Sequence, residues 1–231
     1  MKFINIICLL VFILFGCQSN TSSNYSNSTL LPNASGENNE MLIVMDSTKF
    51  KGEIGRLLVG TYGSYIYGLP QPENNFDLIF IRPRNFNSIL KYAKNIVVAF
   101  SLEGNSLDSK ILRKEFNEKS IDKIKSDSSI FFFKRKDQYA KGQTILYLFS
   151  KTDSELINKI KKNKKMLLKY FQNEVSIRTS KKIFSKVEVN ISNKIFNDHR
   201  IKIKIPFGYD LAKNNNDFFW LRYLELDHEK N

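Results

Sequence analysis

Apolar residues along this chain recur at two spacings, and the changes between them mark out its elements. Residues 40–46 (EMLIVMD) form an apolar run bounded by charge, which predicts a buried strand. Ile54, Leu57, Leu58 and Tyr62 then fall three and four apart, the spacing of one helix face within residues 51–65. The glycines at 60, 63 and 68 predict that this helix ends among them. The stretch 69–73 (LPQPE) must be extended or turning, because proline disfavours helix in the residue before it. Residues 76–81 predict a second strand, 85–93 a short helix and 95–102 (NIVVAFSL) a third strand. Residues 107–124 are amphipathic and highly charged, which predicts a helix. Residues 129–134 and 144–150 read as aromatic-rich strands, with a link at 137–143 too long for a two-residue hairpin.

The longest periodic segment is 153–196. Ser154 is a candidate cap, and Leu156, Ile160, Leu167 and Phe171 line one face. Ile183, Val187, Ile191 and Ile195 then repeat every fourth residue. So long a run without an internal cap predicts a break near 176–180. Residues 201–205 alternate isoleucine with Lys202 and Lys204, the pattern of a half-buried strand. Residues 218–226 (FFWLRYLEL) give the last strand, which calls for burial on both faces. With so little chain after it, it is expected at an edge or poorly covered, with Trp220 exposed. This order predicts an α+β fold: a mixed sheet with packed helices and one long, broken helical segment. The domain runs over 37–231, with a possible subdomain boundary near 150–200.

Residues 1–17 (MKFINIICLLVFILFGC) have a different character. Lys2 starts a short apolar run that closes on Gly16-Cys17, and the run is too short to cross a ~30 Å hydrocarbon core comfortably. The pattern resembles the lipobox of bacterial lipoproteins, although Phe15 is bulkier than the small residues usual there. The resemblance implies a signal peptide over 1–16 and lipidation at Cys17; an ordinary N-terminal anchor helix is the alternative. The polar stretch from Gln18 to Thr29 then reads as a tether, and residues 17–36 have an r.m.s. reach of roughly 24 Å. The expected location is the cell envelope, anchored to a bacterial membrane on its periplasmic side or at the outer membrane.

Composition changes this picture in two ways. Hydrophobic residues make up 42% and aromatics 13% of the chain, enough to fill a core and to exclude a disordered chain. The net charge of +13 is compatible with nucleic acid, anionic lipid or acidic glycan. Lysine outnumbers arginine 28 to 8, however, and asparagine reaches 24, which points to coding bias. Readers of nucleic acid favour arginine, so no nucleic-acid partner is expected. The cysteines are Cys8 and Cys17, which leaves the domain without a thiol, a disulfide or a thiolate metal site.

The search for chemistry yields two candidate surfaces and no catalytic set. Two prolines fix the backbone of 69–73, so Gln71 and Glu73 would be held in place beside Tyr62, Tyr65 and Tyr67. These five residues are candidates for binding a sugar ring or a peptide; the plainer reading is a rigid connector with core tyrosines. Lys161, Lys162, Lys164 and Lys165 are candidates for contact with an anionic surface; the plainer reading is a solvated helix face. Gln143 after Gly142 reads as a buried hydrogen-bonding group, and Arg222 as a partner for a carboxylate or for Trp220. The histidines are His199 and His228, and no HExxH, Walker, GxSxG or GxGxxG pattern occurs. No cofactor, metal or catalytic residue is expected, although a carboxylate pair such as Glu53 with Glu73 stays open for glycoside chemistry.

Several motifs in order carry a wider resemblance. They are Leu31-Pro32-x-Ala34-x-Gly36 with Glu40, Gly52-x-x-Gly55, the LPQPE stretch with Phe76, Ala140-x-Gly142-Gln143, Ile205-Pro206 with Tyr209, and Asp217-Phe218-x-Trp220-Leu221-Arg222. Behind a lipobox they resemble the uncharacterised lipoprotein family called domain of unknown function 4837, typical of Bacteroidota. The resemblance implies no activity and no catalytic residue. It also implies a chain shortened at its C-terminus, because that family usually continues past the Trp-Leu-Arg strand. The function to be expected is that of a lipid-anchored, non-enzymatic binding or scaffolding protein. Its partners would be the membrane through Cys17 and an envelope protein or glycan. A glycan- or polyanion-binding module and a carboxylate-dependent hydrolase are the alternatives.

Overall fold

Two interleaved sets of apolar residues on the same strands explain the layering of the domain. The computed structural model describes residues 30–223. Strands β1 (Glu40–Met45), β3 (Asn95–Ser101) and β5 (Thr144–Ser150) are almost wholly buried along their length. Met41, Ile43 and Met45 of β1 face one way, towards Tyr62, Leu167 and Phe171. Leu42 and Val44 face the other way, towards Leu112, Ile124 and Phe149. Side chains alternate across a strand, so continuous apolar runs require cover on both faces.

The sheet has the order β2-β1-β3-β5-β4, with β2 at Asp77–Ile81 and β4 at Phe132–Lys136. The first four strands in that order are mutually parallel, and β4 is an antiparallel edge. Helices α1 (Ser47–Lys51) and α2 (Glu53–Tyr62) connect β1 to β2. Single 3-10 turns at Pro83–Asn85 and Leu90–Tyr92 stand where a short helix was expected. Helices α3 (Leu107–Lys114) and α4 (Glu118–Ser126) follow β3, and Asn117 caps α4, so the expected single helix is two. Helices α2 and α5 (Asp153–Ile183) cover one face, and α3 and α4 the other. The α+β expectation of a mixed sheet with packed helices holds.

The long helical segment breaks later than expected. Helix α5 is continuous through 176–180, and the chain turns only after Ile183. Length without an internal cap predicted a break there, but this stretch is tied to the amino ends of the strands, Arg178 bonding Asn95 and Thr144, and Thr179 bonding Asn38. The cap of α5 is Thr152, not Ser154: its hydroxyl accepts from the Glu155 N–H at 3.1 Å.

Beyond α5 lies a small module of helix α6 (Val189–His199) and an antiparallel pair, β6 (Tyr209–Asn214) and β7 (Phe219–Tyr223). Its hydrogen bonds include Glu188 N–H to the Ile205 carbonyl and His199 to Asn214 at 2.6 Å. Residues 201–205 are not a strand. Ile201 and Ile203 are exposed, and only Ile205 is buried. Among the described residues β7 pairs on one side only, and Trp220 is 56% exposed. From Leu31 onward the described residues form one compact unit.

Candidate functional site

The strand order places one crevice where an open parallel sheet usually offers it. From β1 the chain goes outward to β2 and then back across to β3, so connections leave β1 and β3 in opposite directions. Outside the carboxyl ends of such strands the loops diverge and leave room for a ligand. A cleft of about 290 Å³ lies there, lined by Thr48, Lys49, Glu53, Glu103, Gly104 and Asp153 among others.

Three chain segments meet beneath it. Asp46 directly follows β1, caps α1 and is 2% exposed. One of its oxygens accepts from the Thr48 N–H at 2.8 Å and from the Thr48 hydroxyl. The other accepts from the hydroxyls of Ser106 and, at 3.0 Å, Ser109. Burial opposes ionisation of Asp46, but these hydrogen bonds outweigh it and hold the carboxyl well below the usual range. Lys49, nearly buried, donates to Ser101 at the end of β3 at 2.6 Å and pairs with Asp153 at the start of α5. Glu103 accepts from the Asp153 N–H at 2.8 Å. A side chain at Gly104 would run into the Ser109 hydroxyl and crowd Lys49, so only glycine lets these loops close. At the rim Lys161 pairs with Glu53 and holds that carboxyl below its ordinary range.

This arrangement is chemically self-contained. The Lys49 ammonium is committed to Asp153 and Ser101, and Asp46 to four donors. Among the described residues no group of three or more His, Cys, Asp or Glu is placed to hold a metal ion. The cluster ties the ends of three parallel strands together. Sequence reasoning missed it, because Asp46, Lys49, Ser101 and Asp153 are scattered over more than a hundred residues and only the sheet order joins them.

The candidate tyrosines separate. Tyr62 is fully buried and packs edge-on against Phe76 and Phe171, with ring centroids 6.4 and 5.6 Å away. Its place on the apolar face of α2 decides this, and it is removed from the candidate surface as a correction. Burial pushes its hydroxyl up from the ordinary value. Tyr65 is 69% exposed, and Tyr67, Gln71 and Glu73 are exposed with it. They sit on a loop over residues 64–75 at the amino ends of the strands, opposite the cleft. Its base is fastened by Ile66 N–H to the Glu73 carbonyl at 2.8 Å, Asn75 N–H to the Ser64 carbonyl at 2.9 Å, and Gln172 to Asn75 at 2.7 Å. Gly68 turns its tip at φ +90°, in the left-handed region that favours glycine. The loop therefore holds Tyr65, Ile66, Tyr67 and Leu69 out in solvent.

Glu53 opens α2, a helix of ten residues and about 15 Å, and Glu73 lies on the loop beyond its other end, so they do not form the carboxylate pair left open above. Lys162, Lys164 and Lys165 lie on the exposed side of α5, as does Lys161. Gln143 is buried and donates to the Ala93 carbonyl at 2.8 Å, and Gly142 before it has φ +81°. Arg222 pairs with Asp210 at 3.1 Å. Cys17 lies outside the described residues.

A family model described as Domain of unknown function (DUF8532) matches residues 34–184, well over half of the chain. The chain belongs to the DUF8532 family. This corrects the resemblance drawn above to domain of unknown function 4837, whose motifs are short and scattered. The expected C-terminal shortening rested on the length of that other family and is not carried further. No curated protein and no solved structure matches the chain. The DUF8532 match ends one residue after α5, so it spans the five-stranded sheet and its helices and leaves the module of α6, β6 and β7 outside. Among the described residues no helix is long and apolar enough to cross a membrane.

Proposed function

We propose that this DUF8532 protein is a lipid-anchored component of a bacterial cell envelope that works by binding other envelope components rather than by catalysis. The observation that carries the reading is the loop 64–75, which holds tyrosine and aliphatic side chains in solvent on a hydrogen-bonded base. Rigid exposure of this kind lowers the ordering cost of binding. The run over residues 1–17, ending Gly16-Cys17, supports the anchor. The polar groups beneath the cleft are bonded to one another, which favours a structural role for them. A glycan is the second candidate ligand, because Tyr65 and Tyr67 share the loop with Gln71 and Glu73.

One experiment in two parts tests the reading. Cys17→Ala is expected to lose radiolabelled fatty acid, leave the membrane fraction and accumulate as precursor; equal labelling of wild type and mutant would sink the anchor. Wild type and the Tyr65→Ser/Tyr67→Ser variant are then compared as bait in solubilised envelope. The variant is expected to lose the bound component, and equal recovery would count against the loop.

A further inference from the structure

Four features converge on one pole of the domain. The chain enters there: the Ala34 N–H bonds the Lys141 carbonyl and the Ser35 N–H bonds the Tyr92 carbonyl, both next to the amino ends of β3 and β5. The loop 64–75 rises from the same edge, just before β2. Helix α5 starts at the opposite edge, crosses this one at Gln172, Arg178 and Thr179, and carries the module of α6, β6 and β7 beyond it. Leu30 follows Cys17 by only 13 positions (30 − 17), so a chain anchored at Cys17 enters the domain at this pole.

The surface chemistry of the pole is specific. Phe207, Phe218, Trp220 and Tyr223 of the module are exposed, as are Tyr65, Ile66 and Tyr67 of the loop. From 181 to 223 there are nine Lys and Arg against four Asp and Glu. Lys186 lies over the Phe207 ring at 5.9 Å and Lys213 over Phe218 at 5.5 Å. Protein-binding patches favour aromatics but are depleted in lysine. Tyrosine and tryptophan interleaved with lysine are instead the composition of a surface that sits at the headgroups of an anionic bilayer.

We infer that this pole is a membrane-contact face for anionic phospholipid, with Trp220 and the loop at headgroup level and the lysines of 181–213 around them. The inference rests on the anchoring reading and names the partner of its exposed surface. Trp220 is the single tryptophan of the chain, so its emission alone reports the contact.

The processed full-length protein, extracted from envelope, is incorporated into phosphatidylglycerol/phosphatidylcholine vesicles whose acyl chains are brominated near the headgroup. The protein is expected to float with the vesicles and its emission to fall about twofold or more against unbrominated lipid. Most of that loss should disappear in phosphatidylcholine alone, at high salt through screening, and in the variant Lys181→Gln/Lys182→Gln/Lys202→Gln/Lys204→Gln. Flotation with unquenched Trp220 would overturn the inference, leave the anchor standing and give the pole to a protein partner. Equal quenching in neutral vesicles would overturn the choice of anionic lipid. Failure to float would overturn anchor and inference together. The salt series on the wild type decides the charge question even if the fourfold variant does not fold.

Discussion

Asp46 shows how one carboxylate can hold a loop cluster. Four donors from two segments converge on it, and with an alanine there the Ser106 and Ser109 hydroxyls and the Thr48 N–H would lose their acceptor. Leaving buried donors unpaired costs about 1–3 kcal/mol in a typical case, so Asp46→Ala should destabilise the domain by about 3 kcal/mol in urea titrations. The acidity of Asp46 adds a pH dependence. Its folded pKa lies below the ordinary 3.8, so its contribution is fully present above about pH 4 and is lost as pH falls below that towards the depressed value. Thermal melts from pH 7 down to pH 2 should show the loss, and Asp46→Asn should flatten it. A variant with the same acid slope as the wild type would place the titration elsewhere. None of this was legible in sequence. An aspartate after an apolar strand gives no hint that Ser106 and Ser109 will fold over it. Tyr62 was half legible, since its position on the face of Ile54, Leu57 and Leu58 already marked it as core.

Strands and helices differed in how openly the sequence declared them. Residues 144–150 were read with their true limits and 95–102 to within one residue, because a central strand buried on both faces shows as an unbroken apolar run. Residues 201–205 alternate perfectly and are not a strand, because alternation records a pattern and not the presence of a partner. Helix α5 was legible by its stripe but not by its end. Arg178 and Thr179 in the segment 176–180 bond the amino ends of the strands, and the turn after Ile183 carries no glycine or proline. The continuity of α5 has a direct test. Ser176→Pro would remove an interior hydrogen bond and clash with the preceding turn, at a cost of about 3 kcal/mol. Circular dichroism and urea unfolding should show that loss. A variant as stable as the wild type would restore the break at 176–180.

The whole molecule is a family domain with an addition. Both core clusters lie at or before Val175, and the DUF8532 match stops at residue 184. Ending the chain after residue 184 should therefore leave a domain that unfolds cooperatively, within about 2 kcal/mol of the full chain, since surface changes away from the core cost little. Loss of the folding transition in denaturant would show that the module belongs to the core after all. The sheet edges are also unequal. Strand β4 presents Lys134, Arg135 and Lys136, charges that discourage a second strand from adding on. Strand β2 carries a single charge, Asp77 at its start, and has Ile79 exposed, so it is the side on which a destabilised domain would first self-associate.

Helix α5 has a mechanical consequence. It is clamped at Asp153 by Lys49 and again at Arg178 and Thr179 by the amino ends of the strands, and everything past the second clamp is a cantilever. The rod is about 46 Å long at 1.5 Å per residue, and hydrogen-bonded throughout. The turn over residues 184–187 is tied on both sides, by Phe184 N–H to the Ser180 carbonyl and by Phe207 N–H to the Lys186 carbonyl, so a load on the module passes into the rod rather than into the five strands. Membrane contact at the module, as inferred above, would then leave the strand register undisturbed.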